Sequence, residues 1–219
     1  MTYTRAIGLA CNKIILLMVR GLALTRIHPN VLTFLGLVIN GVAAALLASG
    51  KFVAAALVII AAGVFDMVDG RVARETNQVT RFGGFFDSVL DRYSDLVLLM
   101  GLLVYYASID RFFYVVLTAV VMTGAVMVSY TRARAECTIP RCKVGFIERP
   151  ERVVLLILGA LFDRMAPVLW IIAVLSNLTV IHRVFYTWQE AQRLEDAQLR
   201  SVPEVREPPA PAREAHKVV

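Results

Sequence analysis

FDMVDGRVARETNQVTRFGGFFDSVLDRYSD, residues 65–95, sets acids against two apolar runs, AAALVIIAAGV (54–64) before it and LVLLMGLLVYYA (96–107) after it. Asp66, Asp69, Asp87 and Asp91 therefore stand at the ends of two apolar helices. At about 100° per residue, Asp66 and Asp69 fall some 60° apart on one face, and Asp87 and Asp91 about 40° apart on another. Two neighbouring helices joined by a short connection can aim all four carboxylates at one point. Such a cluster beside a bilayer core is costly unless it faces a cavity, partners or metal ions. All-oxygen donors suit hard divalent ions such as Mg²⁺ or Mn²⁺, with water completing the shell. A pair of such ions clamps both the attacking and the leaving oxygen of a phosphoryl displacement. Gly70 follows Asp69, and Gly83 lies one turn before Asp87, where the lack of a Cβ lets a ligand or backbone approach. Arg74, on the same helix as Asp66 and Asp69, offers a bidentate fork to phosphate.

Composition places this cluster in a membrane. Of the 219 residues, 58% are hydrophobic and 18% charged, with a mean hydropathy of +0.66; soluble domains lie near half and a quarter. A span needs roughly 20 mostly apolar helical residues. The apolar runs predict an all-α integral membrane protein with six transmembrane helices: Val31–Ser49, Phe52 into DMVDGRVAR, Gly84–Ala107, Arg111–Arg134, Val144 or Pro150 to Phe162, and Ala166–Trp188. Residues 1–27 are apolar but dotted with Arg5, Lys13 and Arg20, which fits an amphipathic juxtamembrane helix lying in the headgroup plane. Residues 28–188 form the six-helix domain. Residues 189–219 turn charged and then proline-rich, with too little apolar surface to fold, so a disordered tail is expected. Cys11, Cys137 and Cys142 lack the spacing of a disulfide framework or zinc site and read as free thiols. A cytoplasmic N-terminus leaves only Lys51, Arg111 and Arg164 outside, of 23 Lys and Arg in all. The positive-inside rule thus puts both termini and the acids on the cytoplasmic side of the cell membrane.

The spacing Asp66-x2-Asp69-Gly70-x2-Ala73-Arg74-x8-Gly83-x3-Asp87-x3-Asp91 resembles, at every fixed position, the signature of the CDP-alcohol phosphotransferase family. The likeness extends from His28-Pro29-Asn30-Val31-Leu32-Thr33 to the sixth helix and excludes the tail. It implies six transmembrane helices behind a juxtamembrane helix, commonly in a homodimer. It also implies two divalent ions held by Asp66, Asp69 and Asp87 with Asp91 close by, and Asp91 as the general base for the acceptor hydroxyl. The CDP-lipid donor would lie against Asp69, Gly70, Ala73, Arg74, Thr80 and Gly83. Asn30 and Thr33 would either reach the cytidine or simply cap the first helix. The acceptor hydroxyl attacks the donor's β-phosphorus and CMP leaves.

SYTRARAE (129–136), GFIERPERVV (145–154) and DSVLDRYSD (87–95) resemble the branch that makes phosphatidylinositol phosphate or its archaeal ether-lipid counterpart. Arg132, Arg134, Lys143, Arg149 and Arg152 put five cations on one cytoplasmic connection and its flanking helix ends. That suits the phosphate of inositol 1-phosphate, with CDP-diacylglycerol or an ether-lipid analogue as donor. Glycerol 3-phosphate would need the same cations, so phosphatidylglycerol phosphate synthase stands as an alternative. Phosphatidylserine synthase is a further one. The same arginines also fit topology signals or anionic lipid headgroups. A divalent-cation transporter would explain the carboxylates but leaves Arg74, the glycines and the inner cations without a purpose. The net charge of +6 lies along membrane loops, which argues against nucleic acid.

Overall fold

The computed structural model describes residues 29–75 and 80–201, with side chains placed for residues 30–67 and 80–197. These residues form helices and no strand: α1 (Pro29–Ala48), α2 (Phe52–Glu75), α3 (Arg81–Ser108), α4 (Phe112–Ala135), α5 (Arg149–Leu161) and α6 (Met165–Ser201). The expected juxtamembrane helix over 1–27 lies outside the described residues. α6 runs past Trp188 to Ser201, so the tail expected from residue 189 is helical over its first part. The reason is local: QEAQRLEDAQLRS is built of strong helix formers, and Arg193 pairs with Glu190 at i,i+3. Residues 202–219 lie outside the described residues.

Three helices end in the same way. After α1, α3 and α5 the chain enters the left-handed region at Gly50 (φ 72°), Asp110 (φ 54°) and Asp163 (φ 51°). The next residue donates back to the carbonyl five positions earlier: Lys51 to Leu46 (2.9 Å), Arg111 to Tyr106 (2.9 Å) and Arg164 to Gly159 (2.8 Å). Each is a Schellman cap, which satisfies the orphan carbonyls of a helix end and turns the chain sharply. The capping cations are also well placed against the negative helix C-terminus. They are the three basic residues that charge counting assigns to the outer face. Ring contacts of Phe52 with Tyr105 and of Phe113 with Trp170 hold these turns at one end of the bundle.

α1 packs against α2 and α3, α3 against α4, α4 against α6, and α5 bridges α2 and α6. Their shared core includes Leu47, Ile59, Leu98, Leu102, Val121 and Ile172, all 2% exposed or less. Large apolar side chains also cover the outside, among them Phe34, Val38 and Val42 of α1 and Ile171, Val174 and Ile181 of α6. Such a surface is tolerable against lipid and not against water. Two buried threonine hydroxyls are satisfied within their own helix: Thr118 Oγ1 donates to Tyr114 O at 2.7 Å and Thr179 Oγ1 to Leu175 O at 2.7 Å. Among the described residues, three helices are long and apolar enough to cross a membrane, within Asn30–Ala48, Phe112–Ala135 and Met165–Ala197. The expectation of six spans is carried only that far by length and composition. The apolar part of α2 covers Phe52–Met67, α3 is charged in its N-terminal half, and α5 has 13 residues, about 20 Å against a hydrocarbon core of roughly 30 Å.

A close helix contact crosses α1 and α3. A Cβ on Gly101 would come within 2.3 Å of Ala44 O and 2.9 Å of Ala44 Cα. Small residues allow this approach, and packing is what holds helices together once lipid surrounds them. Gly101→Ala is expected to destabilise the protein by about 1–3 kcal/mol, because backbone and not a flexible tip must yield. Gly41→Ala meets nothing within 4 Å and should hold or raise stability, since alanine favours the helix. Thermal unfolding of both variants in detergent checks the opposite signs.

Candidate functional site

The end of the bundle opposite the three Schellman turns gathers the charge. Thr80 caps α3, its hydroxyl accepting from Gly83 N at 2.9 Å. A Cβ at Gly83 would sit 3.0 Å from that hydroxyl and 3.4 Å from Asn30 Oδ1. Thr80, Gly83 and Asn30 therefore meet where α3 begins beside the first turn of α1, and Thr33 is buried one turn on. From this cap, α3 carries Asp87, Asp91 and Asp95 at successive i,i+4 positions along one stripe. Asp66, from α2, lies against α1 at Gly36, where a Cβ would stand 2.8 Å from its Oδ1. A larger residue there would require the carboxylate to shift.

Arg149, the first residue of α5, joins these elements. Its Nη2 lies 3.0 Å from Asp66 Oδ2, its Nη1 2.9 Å from Asp91 Oδ1 and its Nε 3.5 Å from Asp95 Oδ1. Asp87 is near enough for its charge to interact with those of Asp66, Arg92 and Arg149. Carboxylates from two helices thus converge on one cation position. Asp69, Gly70, Ala73 and Arg74 continue α2 beyond Asp66, and their side chains lie outside the described residues. Among the described residues, no three Asp, Glu, His or Cys side chains are grouped to hold a metal. The donor set nevertheless fits hard divalent ions. It is all oxygen, and it converges across α2 and α3.

Beside the acids lies a cavity of about 410 Å³ whose charged lining is Arg92, Arg132, Arg149, Arg183, Glu136 and Glu148, with Ser88 and Ser129. With Arg149 committed to the acids, three guanidiniums face two carboxylates, a surplus of one positive charge. Arg132 Nη1 donates to both oxygens of Glu148, at 2.9 and 3.1 Å, and its Nε donates to Glu136 Oε1 at 3.2 Å. Of the cations expected to meet an acceptor phosphate, the structure brings Arg132 and Arg149 to this cavity. Arg152 is placed otherwise. It is 1% exposed and its Nη2 donates to Asp95 Oδ2, because a cation that deeply buried requires an ionic partner. Arg134 is exposed and lines a separate cavity of about 210 Å³, and Lys143 is exposed on the connection.

Sequence reading missed Asp95, Glu148 and Arg183. Asp95 continues the Asp87–Asp91 series by one more turn, and Arg183 is a lone cation inside the apolar run of α6, 1% exposed. An ionisable residue in such a run is by default a functional one with a partner to be found. Glu148 carried no such signal, being one acid in a charged connection.

The chain matches the sequence model described as CDP-alcohol phosphatidyltransferase over residues 26–189. It is 35% identical over 164 residues to the archaetidylinositol phosphate synthase of Methanothermobacter thermautotrophicus, covering 72% of this chain and 82% of that one. It is 37% identical over 181 residues to the phosphatidylinositol phosphate synthase of Mycobacterium tuberculosis, covering 77% and 83%. The crystal structure of the latter enzyme with CDP-DAG bound superposes with a TM-score of 0.75 at 33% identity, over 80% of this chain and 94% of that one. The same enzyme in complex with manganese and citrate gives 0.72 at 35% identity, over 78% and 87%.

Proposed function

The chain belongs to the CDP-alcohol phosphatidyltransferase family, and from that premise we propose that it transfers a lipid-phosphate group from a CDP-linked lipid to inositol 1-phosphate, releasing CMP. The observation that carries the acceptor is Arg149, which belongs at once to the acid cluster and to the arginine-lined cavity. An acceptor phosphate seated in that cavity has its hydroxyl within one ligand's length of Asp91. The surplus positive charge of the lining attracts a phosphomonoester, which carries about −1.5 to −2 at neutral pH.

Two Mg²⁺ or Mn²⁺ ions held by Asp66, Asp69, Asp87 and Asp91 would neutralise the carboxylates and the donor's pyrophosphate. Asp91 takes the proton of the acceptor hydroxyl as it attacks the β-phosphorus. Gly70, Ala73 and Arg74 lie along the pyrophosphate, and Asn30, Thr33, Thr80 and Gly83 form the cytidine end. Arg132 and Arg149, with Arg92 and Arg183, orient the acceptor's phosphate. The donor is CDP-diacylglycerol or its ether-lipid analogue. The protein is placed in the cell membrane with six passes, its acids and both termini cytoplasmic, and works as a homodimer. The three Schellman turns at one end support six passes, since each joins two antiparallel helices.

The test is a panel of inositol 1-phosphate, glycerol 3-phosphate, serine and inositol, scored for lipid product. Product from inositol 1-phosphate alone is expected. Product from serine or unphosphorylated inositol overturns the reading, and product from glycerol 3-phosphate alone reassigns the acceptor. Arg132→Ala should raise the acceptor KM about tenfold. A charge-assisted contact is worth about 1.5–3 kcal/mol, and the exposure of Arg132 keeps the loss near the lower figure.

A further inference from the structure

Residues 144–147 are held against α6 by three bonds. Thr179 Oγ1 accepts from Phe146 N at 3.0 Å and from Ile147 N at 3.2 Å. Arg183 Nε donates to Val144 O at 2.8 Å, and Arg183 Nη1 donates to Val128 O on α4. Gly145 makes the approach possible, with φ 140° and a Cβ position only 2.6 Å from Thr179 Cγ2. This docking delivers Glu148 to one place. There it caps α5 in a reciprocal box with Glu151, whose Oε2 accepts from Glu148 N at 3.0 Å. Its carboxylate also accepts from Arg132 Nη1 and from Arg183 Nη2, the latter at 2.8 Å.

A carboxylate offers about four lone-pair sites, and the cap and the two arginines use them. Glu148 therefore has little left with which to bind a polyol hydroxyl. What it does is fix its donors. With Nε on Glu136 and Nη1 on Glu148, Arg132 has its remaining edge, Nη2, for a ligand in the cavity. We propose that Glu148 is a positioning residue for the acceptor phosphate: from the cap of α5 it holds the guanidiniums of α4 and α6 in the orientation that receives an anion. The inference rests on the acceptor reading above.

The sign separates this from the simpler alternative. A carboxylate that merely competed for the arginines would weaken anion binding, so its removal would lower the acceptor KM. A positioning carboxylate does the reverse. Holding a long, rotamer-rich arginine in place before the ligand arrives saves the entropy of ordering it on binding. Glu148→Gln turns an amide N–H₂ toward arginine donors and should raise the acceptor KM about tenfold or more. The CDP-lipid KM and the metal dependence should stay within about twofold.

Glu148→Asp supplies the second variant in case the glutamine protein does not fold. Aspartate keeps the charge and is a good N-cap, but falls one methylene short of the arginines. It should also raise the acceptor KM with the donor KM unmoved. An unchanged or lowered acceptor KM in Glu148→Asp overturns the proposal. Arg132→Ala measured alongside tells the two failures apart. If it raises the acceptor KM while Glu148→Asp does not, the cavity reading stands and positioning falls. If neither moves it, the cavity reading itself has failed.

Discussion

Asp91→Asn is expected to lower turnover by about two to four orders of magnitude, the usual contribution of a positioned base, while CDP-lipid binding is largely retained. Asp66→Asn should instead lose metal binding and donor binding together. The two residues differ in placement. Asp66 sits deepest on α2, with its Oδ1 wedged at Gly36 and its Oδ2 toward the common cation position. Asp91 lies on α3 between the acids and the arginine-lined cavity, linked to both through Arg149. An asparagine there keeps an oxygen for a cation and cannot accept the hydroxyl's proton. Mn²⁺ titration followed by paramagnetic resonance, together with donor binding and single-turnover kinetics, measures the three quantities separately. Equal loss of donor binding in both variants would remove the distinct base role.

Helix positions were legible in the sequence because apolar runs and punctuation agree. Pro29 opens α1, Gly50 closes it, and the basic residues after α1, α3 and α5 mark one end of the bundle. The acids were legible because carboxylates at the ends of apolar runs have few structural uses. The arginines were not separable by sequence. Arg149 and Arg152 are three residues apart on α5 and read alike. One reaches the acid cluster and the cavity, and the other is sealed on Asp95. Which face of α5 meets α3 depends on packing against α2 and α6, a tertiary fact that periodicity over 13 residues does not contain. The same holds for Glu148, whose place follows from the docking of residues 144–147 on Thr179 and Arg183. The length of α6 was misjudged for the opposite reason: local propensity in QEAQRLEDAQLRS outweighed its lack of apolar surface.

Chelation should abolish turnover, and Mg²⁺ or Mn²⁺ should restore it. Two carboxylates about 5 Å apart repel by about 3 kcal/mol at an effective dielectric of 20, and the charges of Asp66, Asp87 and Asp91 raise one another's cost in this way. Arg149 supplies one positive charge to this group and shares it with Asp95. A donor pyrophosphate brings more negative charge to the same place, so the chain's own cations leave the encounter repulsive. Divalent ions reverse the sign of that interaction. Loss of activity should come without loss of fold. The close approach of Gly101 to Ala44 and the three Schellman turns involve none of Asp66, Asp87 and Asp91. Far-ultraviolet circular dichroism should therefore be unchanged in EDTA while CMP release stops. Undiminished CMP release from a metal-stripped preparation would show that Asp66, Asp87 and Asp91 serve some other purpose.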